Sequence, residues 1–202
     1  MHEVATILLA AGLSKRMGEI DKQLLPINDR PMIVHMVETY SSATEGPVIV
    51  VTGHARKRVE SALRGTKANV VFCEDYDGGQ AKSVATGLQQ APDAKSLLIG
   101  LGDQPLLSSD DVRALLEVHN AVDPSKISIP KIGEARGNPI VVPRTLREQL
   151  LADPLSPGCR RFTRQNPQHV QFHVMQSQGF FHDVDTPEEY AAVLLQLEKE
   201  KA

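Results

Sequence analysis

The sequence predicts an α/β protein in which helices cover both faces of a mostly parallel central sheet. Three observations predict this fold class. Short apolar runs rich in Val, Ile and Leu recur along the first half, amphipathic stretches separate them, and turns containing Gly or Asp follow several of the runs. The 202 residues contain no repeat, low-complexity tract or linker, so we expect residues 1–202 to form one domain.

The first half of the chain alternates predicted strands with predicted helices. The strands are the apolar runs at residues 4–10, 47–52, 69–73 and 96–102. The helices are the amphipathic stretches at residues 32–42, 56–64 and 81–90. Ligands of such sheets bind beyond the carboxyl ends of the strands. The loop after residue 10, the Gly78-Gly79 turn and the Asp103 turn are therefore predicted to share one rim.

The second half is less regular. Ser108, followed by acidic residues, predicts the start of a helix that runs to about Asn120. Further predicted elements are strands at residues 127–129, 139–142 and 170–174, helical stretches at 146–151 and 160–164, and a closing helix from Pro187. The charged stretch at residues 198–201 is interpreted as a solvated helix end.

Composition narrows the class of partner. Lys and Arg total 22 against 25 Asp and Glu, which is not the basic excess of a nucleic-acid binder, and Trp is absent. The amino-terminal apolar run is too short for a signal core with its cleavage site or for a membrane span. Cys73 and Cys159 lie far apart, without metal-ligand spacing. We therefore expect a small-molecule partner and a reducing cytoplasm, with no role at nucleic acid or at a membrane.

The loop after the first predicted strand combines glycines with cations. Gly12 and Gly18 frame Ser14 and Arg16, and Lys22 follows shortly after. Backbone amides and positive side chains in this combination are typical of polyphosphate binding. The spacing matches neither the NTPase phosphate loop nor the dinucleotide-binding pattern. From the residues alone, nucleotide binding and a tight strand-to-helix turn with a solvated cationic face both remain open.

Two acidic signals lie farther along the chain. Asp103 follows an apolar run between a Gly and a Pro, where a carboxylate can hold Mg²⁺ against substrate phosphates or can simply form a turn. Asp183 and Asp185 alternate with apolar residues, and strand alternation would send both to one side, where one or both can reach a metal ion. The alternative is that Asp185 or Thr186 caps the last helix.

Together, these motifs and their order resemble the molybdenum-cofactor nucleotidyltransferases, and the match is closest to the cytidylyltransferase branch. The matching motifs are Leu9-Ala10-Ala11-Gly12-x-Ser14-x-Arg16-Met17-Gly18 with a downstream Lys, Gly102-Asp103-x-Pro105, Gly137-x-Pro139 and Asp183-x-Asp185-Thr186-Pro187. The resemblance implies a Rossmann-like nucleotidyltransferase fold and dependence on Mg²⁺. The implied reaction transfers CMP from CTP to the terminal phosphate of molybdopterin and releases pyrophosphate.

The resemblance also implies roles for individual residues. Arg16, Lys22 and Asp103 would be the catalytic residues. Arg16 would grip the triphosphate, Lys22 would lie beside the α-phosphate, and Asp103 would bind Mg²⁺. Asp185 would be the second acidic ligand. The other nucleotide contacts of the loop would come from Leu9, Ala10, Ala11, Gly12 and Ser14. No catalytic base is nominated, because the attacking acceptor phosphate is already ionised.

One departure from the family pattern concerns the lysine. Family members usually place two residues between the last Gly of the loop and the Lys, whereas here Glu19, Ile20 and Asp21 intervene. The loop can bulge, Lys22 can approach at a changed angle, or Lys15 can share its work. Because isolated loop cations are usually solvated, Lys15 is interpreted first as a surface charge.

The segment from Gly79 to Ser83 is interpreted as the nucleobase contact. A Gly pair followed by a small hydroxyl residue at a helix start lets backbone and side chain approach a base edge closely. Cytidylyltransferases carry a similar Ser-Val-x-x-Gly-Leu segment, whereas guanylyl-transferring relatives tend to have Pro and Gly there, so CTP is favoured over GTP. Ser83 can alternatively be an ordinary helix-start hydroxyl.

Acceptor residues follow from the same resemblance. Asn138 lies in the family's Gly-x-Pro turn, and Arg160 and Arg161 follow Ser156-Pro157-Gly158, where relatives carry a Gly- and Arg-containing loop that faces the pterin. Guanidinium groups fit phosphate oxygens, but the two arginines can equally form surface ion pairs. Rival functions are transfer from GTP, transfer to another phosphorylated acceptor and, in a different class, a non-catalytic carrier or insertion chaperone for a molybdenum hydroxylase.

Overall fold

A computed structural model describes residues 1–18, 20–152 and 159–199. The strands are β1 His2–Ala10, β2 Pro26–Ile27, β3 Arg30–Pro31, β4 Val48–Thr52, β5 Ala68–Phe72, β6 Ala94–Leu101, β7 Ile127–Ile132, β8 Ala135–Arg136, β9 Ile140–Pro143 and β10 Val170–Val174. The helices are α1 Met32–Ala43, α2 Arg56–Ala62, α3 Gln80–Gln90, α4 Ser109–Val122, α5 Arg147–Leu151, α6 Cys159–Gln165 and α7 Pro187–Lys199. The predicted α/β fold class is confirmed.

The central sheet has the strand order β10-β7-β9-β6-β1-β4-β5, with β8 paired to β7, and β2 and β3 form a separate hairpin. β1 runs parallel to both β4 and β6, and β5 is parallel to β4. β9 is antiparallel to β6 and β7, so the sheet is mostly parallel. The chain runs from β1 outward to β5 and returns on the other side as β6. The direction of winding therefore reverses between β1 and β6, where α/β sheets bind ligands.

Successive residues of β1 point to opposite faces of the sheet. Ile7 and Leu9 pack on the side of α3, α5 and α6, whereas Leu8 and Ala10 pack on the side of α1, α2 and α4. Both faces of the strand are covered, which explains its continuous apolar sequence. Full burial of one such aliphatic side chain contributes about 1.5–3 kcal/mol. The two helix layers thus hold the end of β1, and the loop that follows it, in place.

Strand pairing extends several elements beyond their apolar runs. β1 begins at His2 because its ladder with β6 continues to Ala94. β7 continues to Ile132 because it forms a hairpin with β8. The predicted helix start at Ser108 is confirmed by a capping box, in which the Asp111 amide donates to Ser108 Oγ at 3.1 Å and Asp111 Oδ2 accepts from the Ser108 amide at 2.9 Å.

The segment before α7 differs from the prediction. Strand-like alternation would send Asp183 and Asp185 to one side, but residues 182–186 pair with no strand of the described chain, so this segment is not a strand. Among the described residues, a backbone hydrogen bond from the Val184 amide to the Asp103 carbonyl, at 2.8 Å, ties the segment to the turn after β6. Val184 is fully buried in a small cluster with Ile27 and Val193, which holds the segment in place.

Three sequence features lie partly outside the described residues. They are Glu19 in the loop after β1, Ser156-Pro157-Gly158 before α6, and Glu200 and Lys201 at the charged end. Within the described residues, no helix has the length and apolar character needed to cross a membrane.

Candidate active site

The loop after β1 folds back so that its cations face the carboxyl edge of the sheet. Ser14 adopts a positive φ of 49°, and short 3₁₀ turns follow at Lys15–Met17 and Lys22–Leu24. The Lys22 amide lies 3.4 Å from Ser14 Oγ, and the Met17 side chain is buried. Burial of Met17 therefore anchors the middle of the loop, and the contact between Lys22 and Ser14 brings the end of the loop close to its start.

Four side chains meet at this edge, and we call Arg16, Lys22, Asp103 and Asp185 the charged cluster. Lys22 Nζ contacts Asp103 Oδ2 and lies 2.6 Å from Asp185 Oδ1. Arg16 donates to Asp185 Oδ2 at 2.5 Å. The side chains of Lys22 and Asp103 are only 10% and 13% exposed. The structure thus joins all four residues that the sequence predicted for triphosphate and metal binding.

The extra residue in the loop does not keep Lys22 away from the edge. Asp21, one of the intervening residues, is buried and pairs with Arg58 at the surface of α2. This ion pair holds the chain just before Lys22, whose ammonium group lies between two carboxylates. Lys15 is exposed. The geometry therefore favours Lys22 over Lys15 as the buried cation of the loop.

Asp185 reaches the charged cluster because its neighbour caps the last helix. Thr186 Oγ1 accepts from the Glu189 amide at 3.2 Å, and Glu189 Oε2 accepts from the amides of Thr186 and Asp185 at 2.9 and 2.8 Å. Thr186 is thus the capping residue, and the Asp185 carboxylate contacts Lys22 and Arg16 instead. The alternative that the sequence left open between these two residues is settled by this geometry.

Burial and opposite charge act against each other in the charged cluster. Burial lowers the pKa of Lys22, but Asp103 and Asp185 outweigh burial and raise that pKa above its usual value. Burial raises the pKa of Asp103, and Lys22 only partly offsets this. For Asp185, burial is outweighed by Lys22 and Arg16, which hold its pKa below the usual range. Lys22 therefore carries its charge at neutral pH and keeps Asp185 ionised.

The carboxylates of the charged cluster have a donor set that fits Mg²⁺. Asp103 Oδ1 is buried and has no hydrogen-bond partner among the described residues. Asp103 and Asp185 already share one cation, the Lys22 ammonium, so their oxygens lie close enough to contact one ion. The described residues contain no group of three or more His, Cys, Asp or Glu suited to a metal ion. Two carboxylates, completed by phosphate oxygens and water, are the usual protein contribution to Mg²⁺.

A cavity of about 740 Å³ opens beside the end of β1 and β6. Its walls come from the ends of these strands, the start of α3, the segment from β7 to β9, and α6. The lining residues are Leu9, Gly78, Gly79, Gln80, Ala81, Val84, Ile99, Leu101, Ile129, Glu134, Arg136, Gly137, Asn138, Ile140, Cys159, Arg160, Thr163 and Arg164. The cavity therefore brings Leu9 and Gly79, predicted for the nucleotide, together with Asn138 and Arg160, predicted for the acceptor.

Ser83 lies in α3 but does not line this cavity. It is 4% exposed and shares a helix face with Gly87, four residues later. A Cβ at Gly87 would lie 2.3 Å from Ile7, so this face of α3 packs against β1. Ser83 is thus placed near the end of β1, and Gly79, with φ of 94°, turns the chain into the helix.

The turn that carries Asn138 packs tightly against Phe180. The Asn138 amide donates to the Phe180 carbonyl at 2.9 Å, and the Gly137 amide donates to the Pro130 carbonyl at 2.8 Å. A Cβ at Gly137 would lie 2.6 Å from the Phe180 oxygen, which requires glycine there. The Asn138–Pro139 peptide is cis. These contacts hold Asn138 at the cavity wall.

The cavity includes two arginines, Arg136 and Arg164, that the sequence motifs did not indicate. Arg160 and Arg164 line it, whereas Arg161, predicted with Arg160, does not. Arg160 and Arg164 are four apart on α6 and share one face, a spacing visible in the sequence. Arg136 of β8 lines the cavity as well. Cys159 also lines the cavity, and burial raises the pKa of its thiol to about 12, which agrees with a packing role.

Comparison with known proteins places these features in context. The MobA-like NTP transferase domain matches residues 6–170. The bifunctional protein GlmU of Cupriavidus pinatubonensis is 34% identical over 113 residues, which are 55% of this chain and 24% of GlmU, so the chain spans about a quarter of that relative. The nicotine blue oxidoreductase of Paenarthrobacter nicotinovorans is 29% identical over 197 residues, 95% of this chain and 96% of that protein.

Solved structures support the same architecture. A nucleotidyl transferase from Methanothermobacter thermautotroptrophicus superposes with a TM-score of 0.84 at 23% identity, covering 99% of this chain and 100% of the other. At this level of identity the likeness shows the fold alone.

Proposed function

Because this chain belongs to the MobA-like NTP transferase domain family, we propose that it is a cytidylyltransferase of the cytoplasm. It would transfer CMP from CTP to the terminal phosphate of molybdopterin, release pyrophosphate and form the cytosine dinucleotide cofactor, with residues 1–202 acting as one domain. The observation that carries this proposal is the charged cluster, in which Lys22 lies between Asp103 and Asp185 beside the cavity. The free thiols of Cys73 and Cys159 agree with a reducing compartment.

The residues of the charged cluster perform the transfer by positioning and by neutralising charge. Backbone of residues 10–12 would approach the nucleotide, and Arg16 and Lys22 would exchange their carboxylate partners for phosphate oxygens. Asp103 and Asp185 would hold Mg²⁺, which, when bound, neutralises charge on the phosphates. The acceptor phosphate oxygen then attacks the α-phosphorus in line with the departing pyrophosphate. No residue has to remove a proton from this nucleophile.

The choice of CTP is proposed from Gly79 and Ser83. Replacement of Ser83 by Ala removes one hydroxyl from a buried position near the end of β1. If Ser83 contacts the cytosine, kcat/KM with CTP falls by roughly 10-fold while the weaker turnover with GTP stays unchanged. An unchanged ratio of CTP to GTP turnover in the variant would show that Ser83 is only a helix residue.

The central experiment supplies purified protein with Mg²⁺, freshly prepared molybdopterin cofactor and each of the four nucleotides in turn. We expect pyrophosphate release and dinucleotide formation with CTP above all. Equal turnover of all four nucleotides would contradict the CTP assignment. Absence of product with fresh acceptor would overturn the proposed reaction. Asn138, Arg160 and Arg161 are the proposed acceptor contacts, and a molybdenum hydroxylase is the proposed client of the product.

Two rival functions are tested in the same preparation. The relative that matches almost the whole chain is named an oxidoreductase, so oxidation of a reduced nicotinamide is followed alongside pyrophosphate release. A carrier would bind the cofactor without releasing pyrophosphate from any nucleotide. The charged cluster favours nucleotidyl transfer over both, because neither a carrier nor a reductase needs paired carboxylates and cations at the end of β1.

A further inference from the structure

Two arginines on α6 face the cavity without a partner of opposite charge. Arg160 and Arg164 are exposed, line the same wall, and form no ion pair with any described residue. Among the described lining residues, Glu134 is the one carboxylate, and it lies 3.4 Å from Lys131. Within the described chain, the positive charge of Arg160 and Arg164 is therefore not balanced by a paired carboxylate. A guanidinium pair of this kind is suited to bind a ligand anion.

A third arginine, Arg136 of β8, also lines the cavity. The Arg136 guanidinium lies over the Phe172 ring, 4.9 Å from its centroid. Stacking on an aromatic face restricts the directions that the planar guanidinium can take. Arg136 also lines the cavity, so positive charge borders it from β8 as well as from α6.

Part of the cavity lining is apolar. It includes buried aliphatic side chains, among them Val84, Ile99, Ile129 and Ile140. Asn138 also lines the cavity, and its side-chain amide forms no hydrogen bond with the described residues. Apolar side chains bordered by polar groups such as the Asn138 amide suit a flat heterocycle whose faces are apolar and whose edge forms hydrogen bonds.

The arginines and the charged cluster lie in different parts of the site. None of the four residues of the charged cluster lines the cavity, but Leu9 and Leu101 do, and Asp103 follows Leu101 by two residues. These two leucines are paired neighbours at the ends of β1 and β6. A ligand in the cavity can therefore present one end to the charged cluster while another of its groups faces Arg160 and Arg164.

We propose that Arg160, Arg164 and Arg136 form a subsite for a second anionic group of the acceptor, distinct from the phosphate that attacks the nucleotide. The acceptor class is then a planar heterocycle with two anionic groups. This inference rests on the proposed function for the identity of the reacting end, and it adds Arg164 and Arg136 as specificity residues. Arg161, which is outside the cavity lining, has no part in the subsite.

The test uses probes that carry the ring and one anion but no attacking phosphate. Binding of pterin-6-carboxylate is followed by its fluorescence anisotropy, and 6-hydroxymethylpterin is the neutral match. We expect the carboxylate to bind the unaltered protein more tightly, and Arg160→Gln and Arg164→Gln each to weaken it roughly 10- to 100-fold. Arg164→Lys keeps a positive charge at this position but lacks the planar guanidinium that can donate two parallel hydrogen bonds. We expect it to recover only part of the affinity for pterin-6-carboxylate that Arg164→Gln loses.

Arg113→Gln is the matched control. Arg113 is a partly exposed arginine of α4 that pairs with Asp110 and does not line the cavity, so its loss is expected to leave probe binding unchanged. In turnover, Arg164→Gln should raise the KM for the acceptor and leave kcat and the KM for CTP near their original values. A merely structural effect of the substitution would lower the melting temperature and disturb all three parameters.

The outcomes separate this inference from the proposed function. Equal binding of the charged and neutral pterins, or Arg160→Gln and Arg164→Gln variants that bind the carboxylate as the unaltered protein does, would overturn the subsite. Absence of pyrophosphate release with every nucleotide, combined with arginine-dependent binding of pterin-6-carboxylate, would overturn the proposed function and leave the subsite standing.

Discussion

The charged cluster and the cavity arginines carry positive charge in opposite ways. In the charged cluster, Lys22 and Arg16 are matched by carboxylates of the same protein, and Lys22 is nearly buried. In the cavity, Arg160 and Arg164 are exposed and unmatched within the described chain. A buried cation without a counter-ion is costly, whereas an exposed guanidinium is solvated by water.

This difference implies two modes of ligand binding. Phosphates that enter the charged cluster have to exchange partners with Asp103 and Asp185, so the cluster is already ordered before the ligand arrives. An anion that enters the cavity meets Arg160 and Arg164, which have no ion-pair partner to leave within the described chain. We therefore expect substitutions in the charged cluster to affect both rate and stability, and substitutions in the cavity to affect affinity for the acceptor.

The largest effect is expected from removing the carboxylate at the centre of the charged cluster. Asp103→Asn keeps the shape of the side chain but loses the charge opposite Lys22 and the proposed Mg²⁺ ligand. The rate of pyrophosphate release should fall by about 10³-fold or more, measured with saturating CTP and acceptor. Asp110→Asn removes an equal charge from the exposed start of α4 and should keep full activity. An active Asp103→Asn enzyme would show that the carboxylate has no catalytic role.

The second effect compares two lysines of the same loop. Lys22 is buried between carboxylates, whereas Lys15 is exposed. Lys22→Gln should lower kcat by about 10²-fold, because one positive charge beside the reacting phosphate is lost. Lys15→Gln should change kcat by less than about threefold, since solvated loop charges contribute little. A larger loss at Lys15 would mean that this residue shares the work of Lys22 despite its exposure.

The third effect is on stability at alkaline pH. The pKa of Lys22 is raised above its ordinary value of 10.5 in the folded protein. Its stabilising contribution is fully present below pH 10.5 and is lost as pH rises through the folded-state pKa. The melting temperature of Lys22→Met should therefore be lower than that of the unaltered protein at neutral pH, and the gap should narrow above pH 10.5. A difference in melting temperature that stays constant with pH would show that Lys22→Met acts through packing and not through the lost charge.

The smallest effect is on stability at acid pH, the opposite pH dependence. It comes from two buried histidines at the junction of α4, β7 and β10. Nδ1 of His119 lies 2.8 Å from Ser128 Oγ, and Nε2 of His173 lies 3.0 Å from the same oxygen. Burial lowers the pKa of both histidines below 6.5. Their neutral forms stabilise the fold above pH 6.5, and this contribution is lost as pH falls through the folded-state pKa values.

A matched pair of variants tests this acid dependence. His119→Gln should flatten the fall of the melting temperature below pH 6.5. His2→Gln, at the exposed amino terminus, should leave the pH profile unchanged. The same slope in both variants would mean that the buried histidines do not control acid stability.

Local patterns were sufficient for much of the fold. The apolar periodicity predicted the positions of the major strands and helices, and Ser108 with its acidic followers predicted a helix start that the capping box confirms. The pattern at Asp183 and Asp185 misled, because alternation describes a strand only where a neighbouring strand supplies hydrogen bonds. The same alternation still marks Val184 as the buried residue of that segment.

The sequence by itself determined the order of strands and helices and the residue types available at the rim, because periodicity, caps and turns depend on neighbours a few positions apart. Only the tertiary structure decided that Lys22 lies between Asp103 and Asp185, that Thr186 rather than Asp185 caps α7, and that Arg164 rather than Arg161 lines the cavity. These outcomes depend on distances between segments far apart in the chain. Packing of helices on the sheet sets those distances, and no local pattern contains them.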